Sequence, residues 1–174
     1  GVGLDRIDLE AADKYNVPVT NCPAVNQVSV SEHVLALLFT FERNVHLQYN
    51  SVQKGSWKRW VGNEIEGKTI GIIGLGAVGK ELSKKSIALG MKVLGFDLYK
   101  DEDFLSKYPE ITFVDSLETI FEEADVISLH LPHTPKTEYL INREVIFEKL
   151  KKQPIIINTA RGMLVDSLAL IDGL

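Results

Sequence analysis

The sequence predicts an α/β protein built on a doubly wound parallel sheet. Three observations predict it. Short apolar runs of strand length occur at 69–73, 92–96, 125–131 and 154–157. Helical stretches separate them, and strands that alternate with helices pair in parallel. The third is a glycine pattern, Gly74-Leu-Gly-Ala-Val-Gly79, set between the first of these strands and a helix.

Each element has its own signal. Residues 5–15 read as a short helix and Val17–Thr20 as a short strand, which Asn21-Cys-Pro23 ends. A long helix is expected over Val30–Arg43, with Ser29 and Glu32 forming a capping box at its start. Val30, Val34, Leu37, Leu38 and Phe41 share one face, while Leu35 and Phe39 point elsewhere. A helix apolar nearly all round is buried on several sides, here between domains or subunits. Residues 46–67, polar but carrying Trp57 and Trp60, read as a connecting excursion. The first strand, Thr69–Ile73, leads through the glycines into an amphipathic helix over Val78–Leu89. The second strand is Lys92–Phe96 and ends at Asp97. Asp115 with Glu118 opens another helix. The third strand is Asp125–Leu131, followed by the loop Pro132-His-Thr-Pro135. A helix over Arg143–Lys151 leads to the fourth strand, Pro154–Ile157, then Asn158-Thr-Ala-Arg-Gly162 and a last helix from Asp166 or Ser167.

Doubly wound nucleotide folds place strand 1 centrally, strands 2 and 3 on one side, and 4, 5 and 6 on the other. Four strands are legible here. The fourth, Pro-Ile-Ile-Ile-Asn, is apolar on both faces, as a covered central strand would be. At an edge it would be a liability. The sheet is therefore expected to be truncated after strand 4, and Gly1-Val-Gly3 reads as a turn from the middle of a longer protein.

Composition narrows the function classes. The chain has 174 residues, enough for one sizeable core. A net charge of −5, with no Lys/Arg run, argues against nucleic acid as a partner. The lone cysteine, Cys22, has no intrachain disulfide partner and is expected as a small buried residue. No Cys/His cluster has zinc spacing, so no metal site is expected. No apolar run has membrane-spanning length and no signal peptide opens the chain, which makes a cytoplasmic location the default.

The glycines carry the chemistry. A G-x-G-x-x-G after a strand, before a helix, with an acid ending the next strand, is the dinucleotide fingerprint in context. Gly74 permits the tight turn, Gly76 lets a pyrophosphate approach the backbone, and Gly79 lets the helix pack on the sheet. The helix N-terminus holds the phosphates. Asp97 accepts hydrogen bonds from the adenosine ribose and repels a 2′-phosphate, so the expected cofactor is NAD rather than NADP.

Four stretches together resemble the D-isomer-specific 2-hydroxyacid dehydrogenases. They are Gly1-Val-Gly-Leu-Asp-Arg-Ile-Asp8, Gly74–Gly79 with Asp97, Leu129-His-Leu-Pro-His-Thr-Pro-Lys-Thr137, and Asn158-Thr-Ala-Arg-Gly162 with Val165-Asp166. The resemblance implies two α/β domains around a cleft. Residues 1–22 would be the remnant of the substrate domain, 23–45 the hinge and crossing helix, and 46–174 an incomplete, Rossmann-like NAD-binding domain. The 30–43 helix matches the family's dimer contact, which implies a homodimer. Arg161 matches the family's catalytic arginine. Its planar fork of donors suits a 2-oxo acid, whose carboxylate and developing alkoxide both need positive charge. A surface salt bridge is the bland alternative for such a residue. The resemblance also carries over Ala77 and Val78 as pyrophosphate contacts and Leu131, Pro132 and Thr137 beside the adenosine. Thr159 and Ala160 fall near the nicotinamide, and Val2, Gly3 and Asn26 near the substrate. The family's acid/base histidine and its glutamate partner lie downstream of the arginine, outside this sequence. None of His33, His46, His130 or His133 matches that histidine. The expected activity is hydride transfer between NAD(H) and a 2-hydroxy or 2-oxo acid. The alternative is a non-catalytic NAD(H)-sensing module like the family's corepressor relatives. A nucleotide-dependent methyltransferase fits the glycine spacing, Asp97 and Arg161 less well.

Overall fold

The computed structural model describes residues 2–174. Gly1, the first residue of the first motif, lies outside them. The element order is α1 (Leu9–Lys14), α2 (Gln27–Glu42), α3 (Val45–Gln53), β1 (Thr69–Ile73), α4 (Ala77–Ala88), β2 (Lys92–Phe96), α5 (Glu102–Lys107), β3 (Ile111–Phe113), α6 (Leu117–Glu123), β4 (Val126–Leu129), β5 (Ile155–Asn158) and α7 (Ser167–Gly173). A π-helical turn, Val145–Lys149, replaces the regular helix expected over 143–151.

The sheet is parallel, in the order β3-β2-β1-β4-β5. Its five strands correct the count of four. The overlooked strand is β3, and the fourth apolar run is the fifth strand. Ile111-Thr112-Phe113 is buried, exposed and half-buried in turn. Three alternating residues are too few to register as an apolar run. Among the described residues β5 pairs only with β4 and forms the sheet edge.

Alternation along the strands feeds two cores. Ile70 and Ile72 join Val34 and Leu38 of α2 and Leu82 of α4 on one face. Ile73, Ile127 and Leu129 join Ile120 and Phe121 of α6 on the other. Helices thus cover both faces, as a parallel sheet requires.

Helix α2 departs from expectation at both ends of the argument. It starts at Gln27, with Asn26 at the cap making no side-chain bond, so Ser29 and Glu32 lie inside it and form no capping box. Ser31 and Glu32, in the second turn, meet α4 instead. The Lys85 ammonium of α4 donates to Ser31 Oγ at 3.0 Å and to Glu32 Oε1 at 3.2 Å. Val34 and Leu38 are fully buried, whereas Leu37 and Phe41 are 43% and 60% exposed. The five apolar positions therefore do not share one face. The polar stretch 46–67 contains α3, which buries only Ser51 and so left no apolar stripe to read. The helix before β4 is capped by Ser116, which accepts from Glu118 N at 3.2 Å; Asp115 lies one residue outside. Residues 17–20 are irregular rather than a strand, and Cys22 is exposed, not buried. Among the described residues no helix is long and apolar enough to cross a membrane, and no cluster of His, Cys, Asp and Glu has the makings of a metal site.

Candidate functional site

The carboxyl ends of β1, β4 and β5 deliver three loops to one edge of the sheet. They are the turn Gly74–Gly79, the loop His130–Pro132 and the segment Thr159–Arg161. In open α/β sheets ligands sit there, where the strand order reverses, between β1 and β4 here.

The glycine turn has the geometry its sequence implies. Gly74 has φ +102°, and a Cβ on it would lie 2.7 Å from His130 O. A Cβ on Gly79 would collide with the Gly74 carbonyl, so α4 could not approach β1. Gly76 faces open space within 4 Å. It caps α4 without a side chain, so the first amides of the helix, at Ala77 and Val78, have no side-chain acceptor. Orphan amides around an open cradle at the positive end of a helix fit a pyrophosphate.

Asp97 does more than expected. Its Oδ2 accepts from Leu75 N at 2.7 Å and its Oδ1 from Tyr99 N at 3.2 Å. The carboxylate therefore ties the end of β2 to the glycine turn. Thr137 acts on its own loop. Its hydroxyl donates to Pro132 O at 2.7 Å and accepts from Thr134 N at 2.8 Å, which shapes the segment after β4.

Arg161 is presented by a local turn. Asn158, the last residue of β5, donates to Arg161 O at 2.8 Å and accepts from Ala160 N at 3.0 Å. The guanidinium then makes two bonds. One nitrogen donates to Ala160 O at 2.9 Å, the other to Asp5 Oδ1 at 2.6 Å. The bland alternative, a surface salt bridge, is therefore present, with the two side chains 40% and 49% exposed. The partner comes from the opposite end of the chain.

Both residues line a cavity of about 570 Å³. Its lining brings together Val2, Gly3, Asn26, Val78, Leu131, Pro132, Thr159, Ala160 and Arg161. Gly74, Gly76, Ala77, Gly79, Asp97 and Thr137 are not in its lining; the first five belong to the adjoining glycine turn and its support, and Thr137 to the loop after β4. The Thr159 hydroxyl is buried without a partner. Sequence reasoning overlooked Asp5, Leu4 and Val30 as lining residues, and did not place His130 and His133 in the site. Asp5 lay within a recognised motif, but nothing local indicates its distant partner.

The titratable groups divide clearly. Arg161 holds the Asp5 carboxyl below the usual carboxylate range, chiefly through their hydrogen bond. Burial pushes the His130 imidazole down to about 4. Its Nε2 lies 2.8 Å from Ser128 Oγ. His130 is therefore neutral at neutral pH. His133 is exposed, with Nε2 3.9 Å from Glu138 Oε1. His33 and His46 lie exposed on α2 and α3.

This geometry agrees with what the chain resembles. Residues 35–174 match the sequence profile of the D-isomer specific 2-hydroxyacid dehydrogenase NAD binding domain. The D-3-phosphoglycerate dehydrogenase of Methanocaldococcus jannaschii is 40% identical over 100% of this chain and 33% of its own length. The apo-structure of D-lactate dehydrogenase from Escherichia coli matches with a TM-score of 0.90 and 34% identity, over 99% of this chain and 54% of that one. The Aquifex aeolicus D-lactate dehydrogenase complexed with NAD and lactic acid matches at 0.85 and 36% identity, over 99% and 51%. The chain thus spans between a third and about half the length of these relatives. The glycine turn, the acid that ties it and the family profile converge on one conclusion: this chain belongs to the D-isomer specific 2-hydroxyacid dehydrogenases and carries their NAD-binding domain.

Proposed function

We propose that this chain is the cofactor-binding portion of an NAD-dependent D-2-hydroxyacid dehydrogenase, with Arg161 as its substrate-binding and catalytic arginine. The observation that carries this reading is the place of Arg161. It lines the cavity together with residues 2–5 and with Val78 at the end of the glycine turn, and it bonds Asp5.

NADH, when bound, supplies the hydride for a 2-oxo acid. The Ala77 and Val78 amides at the start of α4 hold the pyrophosphate, and Asp97 meets the ribose diol. A fixed carboxylate there disfavours a 2′-phosphate, so NADH is preferred to NADPH. Leu131 and Pro132 border the adenosine side, and Thr159 and Ala160 the nicotinamide side. Arg161 clamps the substrate carboxylate and carbonyl oxygen, stabilising the charge that grows on that oxygen. The Val2 and Gly3 backbone closes the carboxylate end, with Asn26 nearby.

The proton must come from elsewhere. Arg161 stays charged at all relevant pH. His130 is neutral and bonded to Ser128. The acid/base histidine and its glutamate are assigned to the further length that full-size relatives possess. Residues 1–174 alone are accordingly inactive, although they bind NADH. Pairing into a homodimer is assigned to the exposed Leu37 and Phe41 on α2. A panel of 2-oxo acids, assayed by NADH consumption with the intact protein, tests the activity. NADH binding without turnover of any of them would favour the NAD(H)-sensing alternative.

A further inference from the structure

The Asp5–Arg161 contact joins residues 156 positions apart and is the bond by which the guanidinium is held from outside its own loop. Its surroundings are specific. A Cβ on Gly3 would lie 2.6 Å from Asp5 Oδ1 and would collide with the Arg161 guanidinium. The backbone of Gly3 therefore packs directly against the pair. The two remaining supports come from the Arg161 loop itself: the bond to Ala160 O, and the Asn158 turn that accepts Ala160 N and donates to Arg161 O.

An arginine side chain loses much rotamer freedom when it is fixed. A substrate that had to order it would forfeit that free energy from its own binding. Here two of the guanidinium nitrogens are already engaged, one on each side, by acceptors the protein supplies. Asp5 uses a single oxygen on a single nitrogen, and an arginine has five N–H donors. The fork is thus oriented but not consumed. Charge adds to geometry, because a hydrogen bond between two ions is shorter and stronger than a neutral one.

We infer that Asp5 is a positioning residue that holds Arg161 in the orientation in which it receives the carboxylate of a 2-oxo acid. The inference rests on the proposed dehydrogenase reading. It adds a requirement that the reading does not contain: a carboxylate on the N-terminal segment must organise the arginine after β5. Asp5 meets Arg161 at the lining of the cavity. Its effect passes through Arg161.

The test uses the intact protein and three variants, Asp5→Ala, Asp5→Asn and Arg161→Ala. NADH-linked turnover of the best 2-oxo acid is measured, together with calorimetric binding of oxamate, a non-reducible analogue, to the NADH-loaded protein. Asp5→Ala is expected to raise the KM for the 2-oxo acid and weaken oxamate about three- to tenfold, with NADH affinity and the unfolding midpoint unchanged. Asp5→Asn, which keeps an oxygen acceptor at the same place, is expected to recover part of the loss. An unchanged KM in Asp5→Ala, with an active wild type, overturns the positioning role and leaves the dehydrogenase reading standing. A lower KM and tighter oxamate also overturn it, since Asp5 would then be competing with substrate for the arginine. A wild type that neither turns over any 2-oxo acid nor binds oxamate removes the underlying reading and the inference with it.

Discussion

Asp97→Ala removes two acceptors at once, one for Leu75 N in the glycine turn and one for Tyr99 N after β2. Leu75 N, 2.7 Å from Asp97 Oδ2, belongs to a residue only 6% exposed, so water cannot readily replace the lost partner. A hydrogen bond to a charged acceptor contributes about 1.5–3 kcal/mol, and a buried donor left without one forfeits a similar amount. The bond from Tyr99 N is longer, at 3.2 Å, and Tyr99 is 78% exposed, so it adds little. The expected loss is about 2–3 kcal/mol in the absence of cofactor. For a domain of this size each kcal/mol lowers the melting temperature by roughly 2–4 °C, which gives a fall of about 5–10 °C. Asp97→Asn keeps one oxygen but turns an amide N–H₂ toward a backbone donor, and falls between wild type and Asp97→Ala. Thermal unfolding of the cofactor-free protein, followed by circular dichroism, measures both. A loss below about 0.5 kcal/mol in Asp97→Ala would refute the tie between β2 and the turn. Because the variant also loosens the cradle, cofactor preference has to be read as the NADH/NADPH affinity ratio, which the common loss leaves unchanged. Wild type is expected to prefer NADH, and Asp97→Ala to narrow the ratio.

Two further outcomes follow from the structure. His130 is neutral when folded and has an ordinary pKa of 6.5 when unfolded, so the unfolded state takes up its proton first as pH falls. Its contribution to stability is complete above pH 6.5 and is lost between 6.5 and about 4, by about 3 kcal/mol at the acid end. Urea unfolding of wild type and His130→Gln at pH 7 and pH 4.5 reads this as a difference; equal acid losses in the two would contradict it. On α2, Phe41→Glu or Leu37→Glu is expected to dissociate a dimer with the fold intact, visible by light scattering together with circular dichroism. Leu38→Glu, at a fully buried position, is expected to unfold the chain instead. A wild type that is monomeric at micromolar concentration would remove the dimer proposal.

What was legible in the sequence was local. Thr69–Ile73 and Lys92–Phe96 match β1 and β2 because long apolar strands bounded by glycine and aspartate carry their own punctuation. The glycine turn was legible because Gly74 and Gly79 each answer a clash, with His130 after β4 and with the Gly74 carbonyl, while Gly76 leaves the cradle open. β3 and α3 were not legible: one is three residues long and the other buries a single serine. The Ser29 and Glu32 pattern does not mark the start of α2, because the helix already begins at Gln27 and Glu32 instead meets Lys85 of α4. The expected substrate and nicotinamide residues all meet at one cavity, from the end of β5, the N-terminal segment and the start of α2. The bond between Asp5 and Arg161 has no sequence signature. It exists only because the sheet order brings the end of β5 beneath residues 2–5.

The central claim is that Arg161 serves a 2-oxo acid beside a bound NADH. The most direct measurement is kcat/KM for NADH-linked reduction of the best 2-oxo acid by the intact protein and by Arg161→Ala, with NADH affinity determined for both. A preorganised charged donor at a transition state is typically worth about 10²–10³-fold in rate. The account predicts a loss of that order with NADH affinity nearly unchanged. A loss below threefold, or a collapse of NADH affinity that accounts for the whole effect, would contradict it.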